Sequence, residues 1–161
     1  MKIKILRTIL IILLFITFLQ IFGFSSQNGE KSSGVSRKVT VAVTNNVEKI
    51  QKLEYNEKEK VLDKVEHVIR KLAQFSIYTL VGVLLMALMS TYNITEKNRI
   101  IISLLVGFIY ASSDEFHQLF VDGRSAMFTD VLIDTAGAFL GILIVQAVIF
   151  AFYKIKKFKI W

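Results

Sequence analysis

Four stretches of the chain are apolar over a long distance: Ile3 to about Phe24, about Phe75 to Tyr92, a run that starts at Ile100, and a run that ends near Tyr153. A bilayer core of about 30 Å needs roughly 20 helical residues at about 1.5 Å rise each, and all four runs approach that length. They predict four membrane-spanning helices. Between the first and second runs the pattern changes twice. SSQNGEKSSGVSRK is rich in Ser, Gly and Asn and reads as an irregular linker. From Val47 the pattern turns helical, with Lys58, Val61, Val65, Ile69 and Leu72 recurring at three- and four-residue steps among acids and bases. This predicts an amphipathic helix packed at the membrane interface rather than docking a partner, continuous with the second span because no glycine intervenes before Gly82. The expected fold is an all-α integral membrane protein, four transmembrane helices with an external amphipathic juxtamembrane helix. In that division residues 1–24 form the first span, 25–73 the external loop and its helix, and 74–161 the remaining three-helix part.

Composition supports the same class. Of 161 residues 53% are hydrophobic, which is too apolar for an ordinary soluble domain of that size. The first run, behind Lys2, Lys4 and Arg7, resembles a signal peptide. Its apolar core exceeds the roughly 7–15 residues of such segments and FGFSSQ offers no clear small-x-small cleavage site, so a retained anchor is expected. Cysteine is absent, which excludes disulfides, thiolate metal sites and a cysteine nucleophile. Proline is absent too, so proline-kinked transporter helices are unavailable. The net charge of +7 lies at the two termini and in one mixed-charge loop, without the aromatic–basic platform that nucleic acid would require. Membrane orientation accounts for it better. Lys2 to Arg7, the turn ending at Arg99 and the tail from Lys154 to Lys159 fall on one side of an even number of spans. Because short cytoplasmic loops collect Lys and Arg, a multi-pass protein of the cell membrane with both N- and C-termini cytoplasmic is expected.

Between the third and fourth runs stands the charged stretch DEFHQLFVDGRSAMFTDVLIDTAG, from Asp114 to Gly137. Counting about 20 residues inward from each end of these runs puts Asp114, Glu115 and His117 just inside the outer boundary, with Asp130 and Asp134 opening the fourth span. Charge at that depth costs a few kcal/mol or more, so it normally faces a bundle interior or a wet cavity. Ser103, Gly107, Tyr110, Asp114 and Gln118 form one stripe on the third span, and Asp130, Asp134, Gly137 and Gly141 form one on the fourth. Small residues in such stripes let helices approach closely, which predicts that Gly137 and Gly141 meet the third span near Gly107. Each polar residue also has an ordinary structural reading. Ser112 and Glu115 fit a capping box that would end the third span at Ala111. Asp130 suits a helix N-terminus, His117 can be a satisfied interfacial histidine, and Asp122-Gly123-Arg124 has turn chemistry. Arg124 is nonetheless the nearest sequence counter-ion for four carboxylates, and its fork can hold a carboxylate or a phosphate.

At these residues the chain resembles the VanZ-like family of bacterial membrane proteins. The matching pattern is Asp114-Glu115-x-His117-Gln118-x-Phe120, then Gly123-Arg124, Asp130, Asp134, Gly137 and Gly141. Two weaker pieces agree: Phe24-Ser25-Ser26-Gln27, and Arg70-Lys71-x-Ala73-x-Phe75 leading to Tyr78. The resemblance covers nearly the whole chain and implies a four-span helical protein of the type named for low-level teicoplanin resistance. The chain departs from the family pattern at Gln74, where members often have His, and at Ile77, where they often have Glu.

The expected function is binding without catalysis. Asp114, Glu115, His117, Gln118, Arg124, Asp130, Asp134, Arg70 and Lys71 would form an outward polar pocket, with Arg70, Lys71 and Arg124 holding phosphate and the carboxylates fixing the arginines. Expected partners are membrane lipids or a lipid-linked cell-wall precursor, and four spans also leave room for a homodimer. No cofactor and no metal are assigned. One alternative is a membrane-embedded enzyme with Mg²⁺ or Mn²⁺ on the same acids acting on a phosphate ester. The other is a transporter or proton relay, which the one-sided placement of the acids disfavours.

Overall fold

The computed structural model describes residues 1–27, 29–45, 47, 50, 53–124 and 126–158. Of the charged tail, Lys159 lies outside them, as do residues 48, 49, 51 and 52 at the start of the expected amphipathic helix. The described elements are helices in the order α1 (Lys2–Ser25), α2 (Gly29–Thr44), α3 (Tyr55–Ser90), α4 (Glu96–Gln118) and α5 (Phe128–Phe158). Among the described residues there is no strand. Four of these helices, all but α2, are long and apolar enough to cross a membrane. Their outward faces remain apolar and exposed, with Ile9 at 48%, Leu105 at 53% and Leu132 at 52%. Surface of that kind is matched by hydrocarbon and not by water.

The 36-residue α3 is the axis of the bundle. At about 1.5 Å per residue it is about 54 Å long, so its Tyr55 end projects well beyond a bilayer core of about 30 Å. Tyr78, Val81, Leu85 and Met86 of α3 are almost completely buried, together with Ile21 of α1, Ala111 of α4, and Ala138 and Ile142 of α5. The interfacial helix and the second span are thus one element, as expected. Its buried edge differs from the predicted stripe, because Leu62 and Glu66 are buried while Leu72 is 58% exposed. The reason is the neighbour that this part of α3 acquires.

That neighbour is α2, formed by the segment read as an irregular linker. Ser and Gly weaken a helix on their own, but tertiary contacts override such preferences. Thr40 and Thr44 are buried, and each satisfies its hydroxyl within the helix, on Ser36 O at 2.9 Å and Thr40 O at 2.8 Å. Arg37 pins α2 to α3 by donating to Asp63 at 2.7 Å and to Glu59, with Glu66 at 3.6 Å. Burial works against the Arg37 charge, yet its hydrogen bonds to Asp63 and Glu59 hold its pKa above the ordinary arginine value.

The other correction concerns α5. Of the two readings of Ser112, α4 follows the uninterrupted one: it continues to Gln118, and the Ser112 hydroxyl donates back to Phe108 O at 2.8 Å instead of capping a new helix. The glycines of α5 meet α3 rather than α4. Gly137 lies against Phe75 and Tyr78, Gly141 against Thr79 and Val83, and Gly82 of α3 answers against the Ala138 backbone. A Cβ at Gly107 of α4 would meet side chains, those of Ala138 and Leu85, and not backbone. The small-residue seam therefore runs between the second and fourth spans, because α3 supplies its own glycine at the matching level. The remaining span, α1, is held near both ends. The Tyr110 hydroxyl donates to Phe18 O at 2.7 Å with the two rings stacked, and Arg7 donates to Thr91 Oγ1 at 3.0 Å with its guanidinium over Tyr92.

Candidate functional site

Where the C-terminal ends of α1 and α4 meet the middle of α3, with α2 laid across, a cavity of about 370 Å³ opens. This lies within the roughly 300–1,000 Å³ of small-molecule clefts. Helical periodicity builds it. On α3 the pairs Ile69 and Ala73, Arg70 and Gln74, and Gln74 and Tyr78 each stand four residues apart, so they line one wall. On α4 the same spacing puts Asp114 and Gln118 on the opposite wall, while Phe24, Ser25 and Gln27 come from the end of α1 and the turn after it. The result is an apolar sleeve of Ile21, Phe24, Val39, Ile69, Ala73 and Ile77 around a group of polar side chains.

The polar groups are unevenly satisfied. Gln118 Nε2 donates to Asp114 Oδ2 at 3.3 Å, while Asp114 Oδ1 and the Tyr78 hydroxyl, both buried, have no hydrogen-bond partner among the described residues. Arg124 donates through Nε to Gln27 O at 3.2 Å and through Nη2 to Phe24 O at 3.0 Å. It thereby caps the carbonyl end of α1, where the helix dipole favours a cation. Burial lowers its pKa from the ordinary value, the nearby Arg70 charge works in the same direction, and Asp114 and Glu115 oppose both. The sequence expectation of Arg124 as counter-ion to four carboxylates is therefore corrected, since its direct bonds go to backbone carbonyls.

A second polar cluster lies round the helix. Successive residues on a helix point about 100° apart, so Arg70 and Lys71 diverge, as do Asp114 and Glu115. Lys71 forms an ion pair with Asp130 of α5, with side chains only 18% and 8% exposed. Glu115 Oε1 accepts the Met127 backbone N–H at 2.5 Å and so ties the α4–α5 connection to α4. Asp134 is 1% exposed and keeps one carboxylate oxygen without a hydrogen-bond partner among the described residues. Among the described residues, no three His, Asp or Glu side chains are grouped so as to hold a metal ion. His117 serves a third place: its Nε2 lies 3.1 Å from Ser26 Oγ and its ring stacks on Phe22, which fastens α4 to α1.

The nine expected site residues thus separate. Arg70, Asp114, Gln118 and Arg124 share the cavity; Lys71, Glu115, Asp130 and Asp134 form the cluster beside it; His117 faces α1. Sequence reasoning missed Gln74, Tyr78, Ser25 and Gln27 as cavity residues. The signal was present, since the weaker pieces of family resemblance, Phe24 to Gln27 and Arg70 to Tyr78, converge with Asp114 to Gln118 on one space. Both departures from the family pattern, Gln74 and Ile77, also line it.

No curated protein and no solved structure matches the chain. The VanZ/LLP1 family profile matches it over residues 9–151, which takes in α3 and α4 whole, most of α1 and α5, and every cavity residue. With the match extending over most of its length, this four-span membrane chain belongs to the VanZ/LLP1 family.

Proposed function

We propose that this protein acts in the bacterial cell envelope by holding the polar head of a membrane amphiphile, a lipid headgroup or a lipid-linked cell-wall precursor, and thereby modulates susceptibility to glycopeptide antibiotics of the teicoplanin type. The observation that carries the reading is the cavity lining: apolar walls continuous with the spans, with Arg70, Arg124 and Asp114 among them. An amphiphile has the same two-part chemistry, its chain matched by Phe24, Val39 and Ile77 and its phosphate by the arginine forks. Ala73→Phe tests this directly, because it adds bulk to a wall while leaving every charge in place. Overpacking of about 1–3 kcal/mol corresponds to about five- to 150-fold in affinity. Lipid that stays with the purified protein should fall by that factor, and antibiotic protection should fall with it. Wild-type lipid content in the variant would remove the cavity from the proposal.

The proposal also sets both termini in the cytoplasm and α2 outside, following the basic residues at Lys2 to Arg7, Lys97 to Arg99 and the C-terminal tail. Single cysteines in this cysteine-free chain report it cleanly. On intact cells an impermeant thiol reagent should label Lys38→Cys and spare Lys154→Cys, both exposed positions. The opposite labelling would reverse the orientation.

A further inference from the structure

The charges inside the cavity narrow the ligand beyond an amphiphile, in an inference that rests on the reading above. Arg124 and Asp114 line the same space and feel each other's charge, yet they do not touch. Among the described residues neither forms an ion pair within 4.0 Å. Arg124 donates among the described residues through Nε and Nη2 to neutral carbonyls, which leaves further N–H donors on a positive group. Asp114 is 7% exposed and takes one amide hydrogen on Oδ2; the Ser25 hydroxyl stands close to the carboxylate without reaching hydrogen-bond geometry, and Oδ1 has no hydrogen-bond partner among the described residues. A buried carboxylate oxygen without a donor is costly unless a ligand supplies one. The cavity therefore offers a guanidinium and a carboxylate that no direct ion pair joins, beside Arg70, which pairs with Glu66 at 2.8 Å.

We infer that the cavity takes a zwitterionic phospholipid headgroup, a phosphodiester carrying a primary ammonium, with the phosphate on Arg124 and Arg70 and the ammonium on Asp114. The arginine fork suits phosphate oxygens. A primary ammonium brings three N–H donors, which match the open oxygen of Asp114 and the unpartnered Tyr78 hydroxyl oxygen as acceptors. An anionic headgroup that ends in hydroxyls brings no positive charge to Asp114. A quaternary ammonium brings charge but no N–H. Size agrees, because at ~30 Å³ per water-sized group a space of about 370 Å³ holds such a headgroup with the first part of its glycerol.

The test uses the full chain purified in detergent and stripped of lipid, offered equal amounts of phosphatidylethanolamine, phosphatidylcholine and phosphatidylglycerol with identical acyl chains. Bound lipid is read by native mass spectrometry. Phosphatidylethanolamine should be retained about tenfold over each of the others, the size of one charge-assisted hydrogen bond. Asp114→Asn should bring the phosphatidylethanolamine to phosphatidylglycerol ratio close to one while phosphate binding persists. Equal retention of phosphatidylglycerol by the wild type, a comparison that needs no variant to fold, overturns the zwitterion inference and leaves the amphiphile reading standing. A ratio unchanged by Asp114→Asn also overturns it. Retention of no phospholipid at all overturns the zwitterion inference and leaves a lipid-linked precursor as the amphiphile of the reading above.

Discussion

Gly82→Ala and Gly141→Ala are each expected to cost the protein about 3 kcal/mol or more, the upper end of overpacking penalties, and to lower its thermal midpoint in detergent accordingly. A Cβ on Gly82 would stand 1.9 Å from the Ala138 carbonyl oxygen, and one on Gly141 would stand 2.1 Å from the Thr79 carbonyl oxygen. Both obstacles are backbone, so relief requires α3 and α5 to separate. In lipid no hydrophobic force replaces the lost contact, since helix association there depends on close van der Waals packing. The same separation would move Arg70 and Tyr78 relative to α4 and open the cavity, so bound lipid should fall along with stability. Two other glycines provide the scale. At Gly107 the added methyl meets the Ala138 side chain at 3.2 Å, a milder contact, and at Gly34 it meets nothing within 4 Å. Gly34→Ala should be neutral or gain up to about 1 kcal/mol from helix propensity. A Gly82→Ala protein that melts with the wild type would show that α3 and α5 do not pack as described.

Much of this architecture was legible because the membrane imposes it. Runs of about 20 apolar residues have few alternatives to a spanning helix, and the four runs appear as α1, the second half of α3, α4 and α5. What the sequence concealed was pairing. The glycine stripe of α5 was visible, but periodicity gives a helix face and not the helix it meets, and Gly82 of α3 competes with Gly107 of α4 for the same partner. The helicity of α2 was hidden for a related reason: its own residues argue against a helix, and the Arg37 bridge to Glu59 and Asp63 exists only once α2 lies on α3. Within the site, spacing correctly joined Asp114 to Gln118. It put Arg124 in the same space as Asp114 but not on its direct partners, because nearness in sequence to four acids says nothing about the open carbonyls at the end of α1, which took the guanidinium.

Lys71→Met is expected to destabilise the protein by about 3–5 kcal/mol, the usual cost of removing one partner from a buried ion pair. The pair with Asp130 stands among like charges, since Glu115 and Asp134 both lie within electrostatic reach of Asp130 and of Lys71. Methionine keeps most of the lysine stem and removes the ammonium, so the loss reports charge rather than packing. Three carboxyl groups then share a poorly hydrated space without the cation that the native fold places there. Removing one of them should repair much of the damage: Lys71→Met with Asp130→Asn is expected to be more stable than Lys71→Met alone. The double-mutant cycle, read from thermal unfolding of the full chain in one detergent, should give a coupling of at least about 2 kcal/mol. Added salt should not reproduce the effect in the wild type, because buried charges are screened far less than exposed ones. If Lys71→Met alone stays within about 0.5 kcal/mol of wild type, the size of an ordinary surface substitution, then Lys71 is a surface cation. The acids on α4 and α5 would in that case be balanced by something other than α3.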